Sequence, residues 1–183
     1  DPIPVARAEG VYFWTPEGKR ALDGVGGKHL KPENEVAVMI YRPRGLHLDD
    51  RHLLADGQAV SGGFVDAWLF LGHNAKALMD RGLPVAFYLP KLECVQEADL
   101  WHTFLYETEK ALDLAPGTVK IYQLVEIINA TYQLEEMMYA FTRPIRDART
   151  GKTVPASRFI GPNVGRWDYL ASMYRATRAD LAG

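Results

Sequence analysis

The sequence predicts an α/β protein: about four β-α units, forming half a barrel or a small open sheet, behind an N-terminal β-hairpin. Three observations carry this. Apolar strand-like runs at 36–40, 85–89 and 119–125 alternate with stretches of helical periodicity. Turn signals at Gly82, Pro90 and Pro116-Gly117 separate them. Residues 1–34 differ from the rest, with Pro2, Pro4, Pro16 and Pro32 and a cluster of glycines. Successive β-α units imply right-handed crossovers and a parallel sheet. A closed eight-fold barrel typically needs about 250 residues, more than 35–183 supplies.

The elements follow in order. Tyr12-Phe13-Trp14 before the Thr15-Pro16-Glu17-Gly18 turn reads as a hairpin, with strands near 10–14 and 19–23. A first strand spans about 36–42. The polar stretch Asp49-Asp50-Arg51-His52 and the Ala55-Asp56-Gly57-Gln58 turn suggest a second small hairpin. Ser61 is placed to cap a helix over about 62–81, closed by Gly82. Phe64, Trp68, Leu71, Ala75 and Leu78 would form its inward face. A strand at 85–89 stops at Pro90. A helix over about 96–113 turns Trp101, Phe104, Leu105 and Leu112 inward. A strand at 118–126 and a helix at about 132–142 follow, the latter running through Leu134, Met137, Met138 and Phe141. The polar stretch 143–157 reads as a surface loop. A short strand at 158–161 precedes a last helix that runs to about 180.

Composition narrows the function. Of 183 residues, 48% are hydrophobic and 24% charged, as in ordinary globular proteins. A net charge of -2 argues against a nucleic-acid partner. No apolar run approaches the roughly 18 residues of a membrane span, and no signal peptide is visible, so no membrane partner is expected. With Cys94 as the single cysteine, no internal disulfide is possible, and the expected setting is a reducing cytoplasm.

Candidate chemistry sits where strands end. Arg42, in Arg42-Pro43-Arg44-Gly45, follows the first strand. A guanidinium there suits a carboxylate or a developing oxyanion; a solvated turn arginine is the plainer alternative. Glu126 lies within Leu124-Val125-Glu126-Ile127-Ile128, where a buried carboxylate needs a partner or a metal; a strand-end ion pair is the alternative. Asp168 follows Gly165, Arg166 and Trp167 at a helix start, where backbone N–H groups bind anions; a simple N-cap fits as well. Two carboxylates with open positions suit Mg²⁺. Lys91 follows the second strand and could neutralise a phosphate or carboxylate, though it reads better as a solvated lysine. Cys94 lacks the surroundings of a nucleophile, and His47, His52, His73 and His102 lack metal-ligand spacing.

Six ordered segments resemble malate synthase, over about 36–175. They are Arg42-Pro43-Arg44-Gly45-Leu46-His47-Leu48; Asp56-Gly57-Gln58-Ala59-Val60-Ser61-Gly62; His73-Asn74-Ala75-Lys76-Ala77-Leu78; Phe87-Tyr88-Leu89-Pro90-Lys91-Leu92-Glu93; Gly117-Thr118-Val119-Lys120 leading to Val125-Glu126; and Asn163-Val164-Gly165-Arg166-Trp167-Asp168-Tyr169. The resemblance implies part of a TIM (β/α)₈ barrel over 35–183 that condenses acetyl-CoA with glyoxylate to malate and CoA, in a glyoxysome or peroxisome where the source is a eukaryote. By resemblance, Glu126 and Asp168 bind Mg²⁺, Arg42 stabilises the enolate oxygen, and amides around Gly165, Arg166, Trp167 and Asp168 hold the glyoxylate carboxylate. The family's general base is an aspartate in a region after the barrel, which has no counterpart here. The family's Glu-Ser-His is Glu93-Cys94-Val95 in this chain.

Residues 1–34 are similar instead to the N-terminal hairpin of class III aminotransferases, through Gly10-Val11-Tyr12-Phe13-Trp14 and Glu17-Gly18-Lys19-Arg20-Ala21-Leu22-Asp23. The cofactor-lysine region of that family is missing, so no pyridoxal phosphate is expected. Three functional readings stay open: an incomplete malate-synthase-like acyltransferase, a related Mg²⁺-dependent CoA-thioester lyase, and a non-catalytic module that binds Mg²⁺ or acyl-CoA, or a partner that completes its sheet. Half a parallel barrel has open edges, so a homo-oligomer, or an edge covered by the 1–34 hairpin, is expected.

Overall fold

The computed structural model describes residues 40–178, Val38 and three short N-terminal strands. Those strands are β1 (Arg7–Glu9), β2 (Tyr12–Trp14) and β3 (Arg20–Leu22), joined in one antiparallel sheet. The expected hairpin is therefore β2-β3, with β1 added on its other side through the register Glu9↔Tyr12.

The expected strand at 36–42 is reduced, among the described residues, to a parallel bridge between Tyr41 and Phe87. Its remaining positions 36, 37 and 39 lie outside the described residues. Pro43 ends the pairing, since it has no N–H to donate. A hairpin follows, β4 (Asp49–Ala55) with β5 (Gln58–Ser61). Its Asp56-Gly57 turn has φ of 50° and 79°. Two positive φ values in a two-residue loop match the right-handed twist of the strands, and Asp-Gly tolerates them best. Arg44 ties this hairpin to the next helix, with Nε and Nη2 on Asp66 at 2.9 and 2.8 Å and Nη2 on Asp50 at 2.8 Å.

Helix α1 (Gly62–Asp80) buries Val65, Ala67, Phe70, Leu71, Ala75 and Leu78. Trp68, expected inward, is 44% exposed, because the buried stripe runs through Ala67, Phe70 and Leu71 and leaves Trp68 at its margin. Ser61 makes no side-chain cap hydrogen bond. Leu48 O accepts the Gly62 N–H instead, at 2.6 Å. The far end closes as expected, with Gly82 N–H on Met79 O and Leu83 N–H on Leu78 O.

The sheet itself holds β6 (Ala86–Leu89), β7 (Lys120–Val125) and β10 (Phe159–Val164), all parallel, in the order β6-β7-β10. With Tyr41 beside β6, four neighbouring strand positions follow chain order. That is how a (β/α) barrel is built, and the fold is a partial, unclosed one. Helix α2 (Val95–Ala111) joins β6 to β7. The expected single helix after β7 is two, α3 (Ile128–Thr131) and α4 (Leu134–Thr142). The expected loop 143–157 carries a small antiparallel hairpin, β8 (Ile145–Arg146) and β9 (Thr153–Val154). Asp147 organises it: Lys110 and Tyr106 of α2 donate to its carboxylate at 2.6 and 2.8 Å. Helix α5 (Arg166–Thr177) closes the described chain and buries none of its residues.

The core lies between sheet and helices. Phe87, Leu89 and Ile121 meet Phe70 and Leu71 of α1, Trp101 and Leu105 of α2, and Met137 and Phe141 of α4. At the N-terminal ends of the strands sits a fully buried ionic clamp. Arg158 donates to both Glu109 oxygens, at 3.0 and 3.2 Å, and to His102 Nδ1 at 3.0 Å. Glu109 also accepts the Gly117 and Val119 N–H groups. Every Glu109 oxygen is thus satisfied, which a buried charge requires. No helix among the described residues is long and apolar enough to cross a membrane.

Candidate active site

The opposite pole of the sheet carries the chemistry. Arg42 follows Tyr41, Lys91 follows β6 and Pro90, Glu126 follows β7, and Asp168 lies in the first turn of α5 after β10. Four consecutive parallel positions thus each present one charged group beyond their C-terminal ends, the end where barrels place reacting residues.

These groups meet. Glu126 is 1% exposed. Its Oε1 accepts the Lys91 backbone N–H at 2.8 Å and lies 3.7 Å from Arg42 Nη2. Its Oε2 is 3.5 Å from Lys91 Nζ, which reaches Asp168 Oδ1 at 2.8 Å. Arg42 also lies over the Tyr88 ring, 5.8 Å from its centre. Burial pushes the Glu126 carboxyl up, and a hydrogen bond shared with Asp168 adds to this. Asp168 is held below the usual carboxylate range, first by Lys91 and then by that same shared bond.

Gly165 makes the meeting possible. It is the N-cap of α5, and its N–H donates to Val125 O at 2.8 Å, so the two chains run close together. A β-carbon at 165 would sit 2.7 Å from Glu126 Cβ. Asp168 is the third residue of the helix rather than its cap, and its carboxylate turns to Lys91.

An open cleft of about 500 Å³ adjoins the cluster, lined among others by His47, Lys91, Glu126, Asp168, Ser172 and Arg175. Arg166 and Trp167, grouped with Asp168 in the sequence, behave differently. Arg166 stacks on Trp167 at 4.7 Å, and Trp167 is 75% exposed; neither lines this cleft. Lys91 is the residue that sequence reasoning undervalued. Its side chain is 28% exposed and links both carboxylates, rather than standing in solvent. The signal available was its place directly after a strand, shared with Arg42 and Glu126. Arg175 is a cleft residue that no motif marked. Cys94 is half-buried and free, at the start of α2.

Among the described residues no group of three or more His, Cys, Asp or Glu side chains could hold a metal. A cation at this cluster would therefore have two protein ligands, Glu126 and Asp168. Two carboxylates that already converge on one ammonium fit a hard cation that keeps several of its waters.

Comparison with known proteins agrees with this architecture. A family model for the malate synthase TIM-barrel domain matches residues 38–182. The malate synthase of Streptomyces clavuligerus is 39% identical over 150 residues, which is 81% of this chain and 25% of that protein. A bifunctional glyoxylate cycle protein of Caenorhabditis elegans is 42% identical over 136 residues, 74% of this chain and 13% of its own length. Malate synthase A of Escherichia coli is 34% identical over 152 residues, 83% of the chain and 26% of the enzyme. The chain thus spans about a quarter of the malate synthases it matches. By its strand order and by these matches, it belongs to the malate synthase family and represents part of that family's TIM-barrel domain.

Proposed function

We propose that this chain carries the cation- and glyoxylate-binding part of a malate synthase barrel, which condenses acetyl-CoA with glyoxylate to give malate and CoA. The observation that supports it best is the gathering of Arg42, Lys91, Glu126 and Asp168 beyond four adjacent parallel strand positions. Glu126 and Asp168 would hold Mg²⁺. When bound, the ion supplies Lewis-acid polarisation of the glyoxylate carbonyl. Arg42, half-exposed beside Glu126, offers its guanidinium to the enolate oxygen of acetyl-CoA. The free N–H groups at the start of α5, those of Arg166, Trp167 and Asp168, receive the glyoxylate carboxylate, while the Gly165 N–H stays on Val125 O. Removal of the methyl proton falls to a base elsewhere in the whole enzyme.

Calorimetry and a thiol assay test this together. Mg²⁺ is expected to bind the wild-type chain and not Glu126→Ala; equal affinity in both would overturn the assignment. CoA release by the 183-residue polypeptide alone is expected to fall at least about 10²-fold below that of a full-length relative, the lower end of what a general base contributes. Turnover equal to a full-length relative would show that this chain holds its own base.

We further propose that two copies associate through their sheet edges. Val38 and Ile40 are exposed beside the Tyr41 position, and Ile160 and Val164 are exposed along β10. Four parallel positions from each copy supply the eight of a closed barrel. Sedimentation is the measurement that decides it.

A further inference from the structure

The reading of Glu126 and Asp168 as cation ligands leaves Lys91 unexplained, and the geometry around it is specific. Its backbone N–H donates to Glu126 Oε1 at 2.8 Å, while its ammonium lies 3.5 Å from Glu126 Oε2 and 2.8 Å from Asp168 Oδ1. Both ends of one residue thus act on one buried carboxylate. The backbone adopts φ of 59° to do so. For a residue with a β-carbon the left-handed region is unfavourable, so the arrangement must be held by what surrounds it.

Arg42 makes a useful contrast. Its guanidinium also reaches Glu126, at 3.7 Å, but its side chain is 51% exposed, and among the described residues its ion pair is with Glu126. Among the described residues, only the lysine ammonium lies within ion-pair distance of both carboxylates. Lysine also suits a contact that must be released. Its charge is compact and sits on a flexible four-carbon stem, so the stem can rotate into the cleft while the backbone N–H keeps Glu126 aimed.

We infer that Lys91 is a built-in counter-cation for this carboxylate pair, and that its ammonium and a divalent cation compete for the same oxygens. The inference rests on the ligand assignment proposed above. Cation binding then requires the Lys91 stem to swing out, whereas the Lys91 N–H to Glu126 bond persists in both arrangements. Lys91 is thus a positioning residue whose backbone orients a ligand and whose side chain yields to the ion.

Titration calorimetry with Mg²⁺, at one pH and ionic strength, separates competition from simple removal of positive charge. Lys91→Met is expected to bind Mg²⁺ about tenfold more tightly than wild type, as for loss of an opposite charge in direct contact. Arg42→Met removes the same charge from beside Glu126 and is expected to stay within about threefold of wild type, as for a partly exposed pair. Lys91→Arg, whose planar fork holds two carboxylates more firmly, is expected to bind Mg²⁺ more weakly than wild type. Thermal melting adds a second reading. Lys91→Met should melt below wild type without added Mg²⁺ and at or above it with saturating Mg²⁺.

A gain in Lys91→Met no larger than in Arg42→Met overturns the inference, as does a loss of stability that Mg²⁺ does not restore. Should Lys91→Met fail to fold, equal or tighter binding by Lys91→Arg overturns it alone. Glu126→Ala tells the two levels apart. If that variant loses Mg²⁺ binding while the lysine variants disobey the expected order, only the competition fails. If Glu126→Ala binds Mg²⁺ as wild type does, the ligand assignment falls and the role of Lys91 with it.

Discussion

Gly165→Ala perturbs the site where the chain leaving β10 passes close to the chain leaving β7. The new β-carbon would lie 2.7 Å from Glu126 Cβ, and 3.2 Å from both Glu126 Oε2 and Leu124 Cδ1, where ordinary contact begins at 3.4 Å. The Glu126 Cβ is fixed to its backbone and cannot swing aside. Relief requires β7 and the start of α5 to separate, which stretches the 2.8 Å bond from Gly165 N–H to Val125 O. Overpacking of this kind costs about 1–3 kcal/mol. For a chain of this size each kcal/mol lowers the melting temperature by about 2–4 °C. Moving Glu126 by as much as 1 Å is also expected to weaken Mg²⁺ binding by about tenfold to a hundredfold. Gly161→Ala is the control. It lies just upstream, on β10, and an added β-carbon there meets nothing within 4 Å, so it should change neither quantity. Calorimetry and melting of both variants give the answer. A Gly165→Ala protein that melts and binds Mg²⁺ like wild type would refute the idea that this glycine sets the distance between Glu126 and α5.

His102 governs an acid-side loss of stability. Its Nδ1 accepts from Arg158 at 3.0 Å, and burial, followed by the Arg158 charge, lowers its pKa from 6.5 to about 4. Below pH 6.5 the unfolded chain gains this proton and the folded chain does not, so stability falls until pH reaches about 4. Each unit of difference corresponds to about 1.4 kcal/mol, for a loss of a few kcal/mol across the window. His102→Gln should flatten the fall in melting temperature between these limits; an unchanged slope would rule this histidine out as its source. For assembly, sedimentation is expected to show a dimer, weakened by Val164→Lys on the open edge of β10, and a stable monomer at high concentration would reject edge pairing.

The strand and helix order of this protein was legible in its sequence because the core dictates it. Apolar runs buried on both faces must be central strands, and the breaks at Gly82, Pro90 and Pro116-Gly117 leave little freedom in where helices and strands stop. Local chemistry also determined the Asp56-Gly57 turn, and the position of Arg42, Glu126 and Asp168 after successive strands. Long-range geometry was not legible. Trp68 sits at helical spacing with the core residues, yet the tilt of α1 against the sheet decides which stripe is buried. The hairpin in 143–157 depends on Asp147 meeting Tyr106 and Lys110, some 40 residues away in the chain. Lys91 reads as one more exposed lysine until β6 and β7 are side by side. Its contact with Glu126 spans 35 residues, and a pairing that two strand ends create has no period or spacing in the sequence. Residue types and their order along the chain are local properties, set by turn chemistry and hydrophobic pattern. Which charges share a pocket is set by strand register and by the close approach at Gly165, and only the folded sheet decides that.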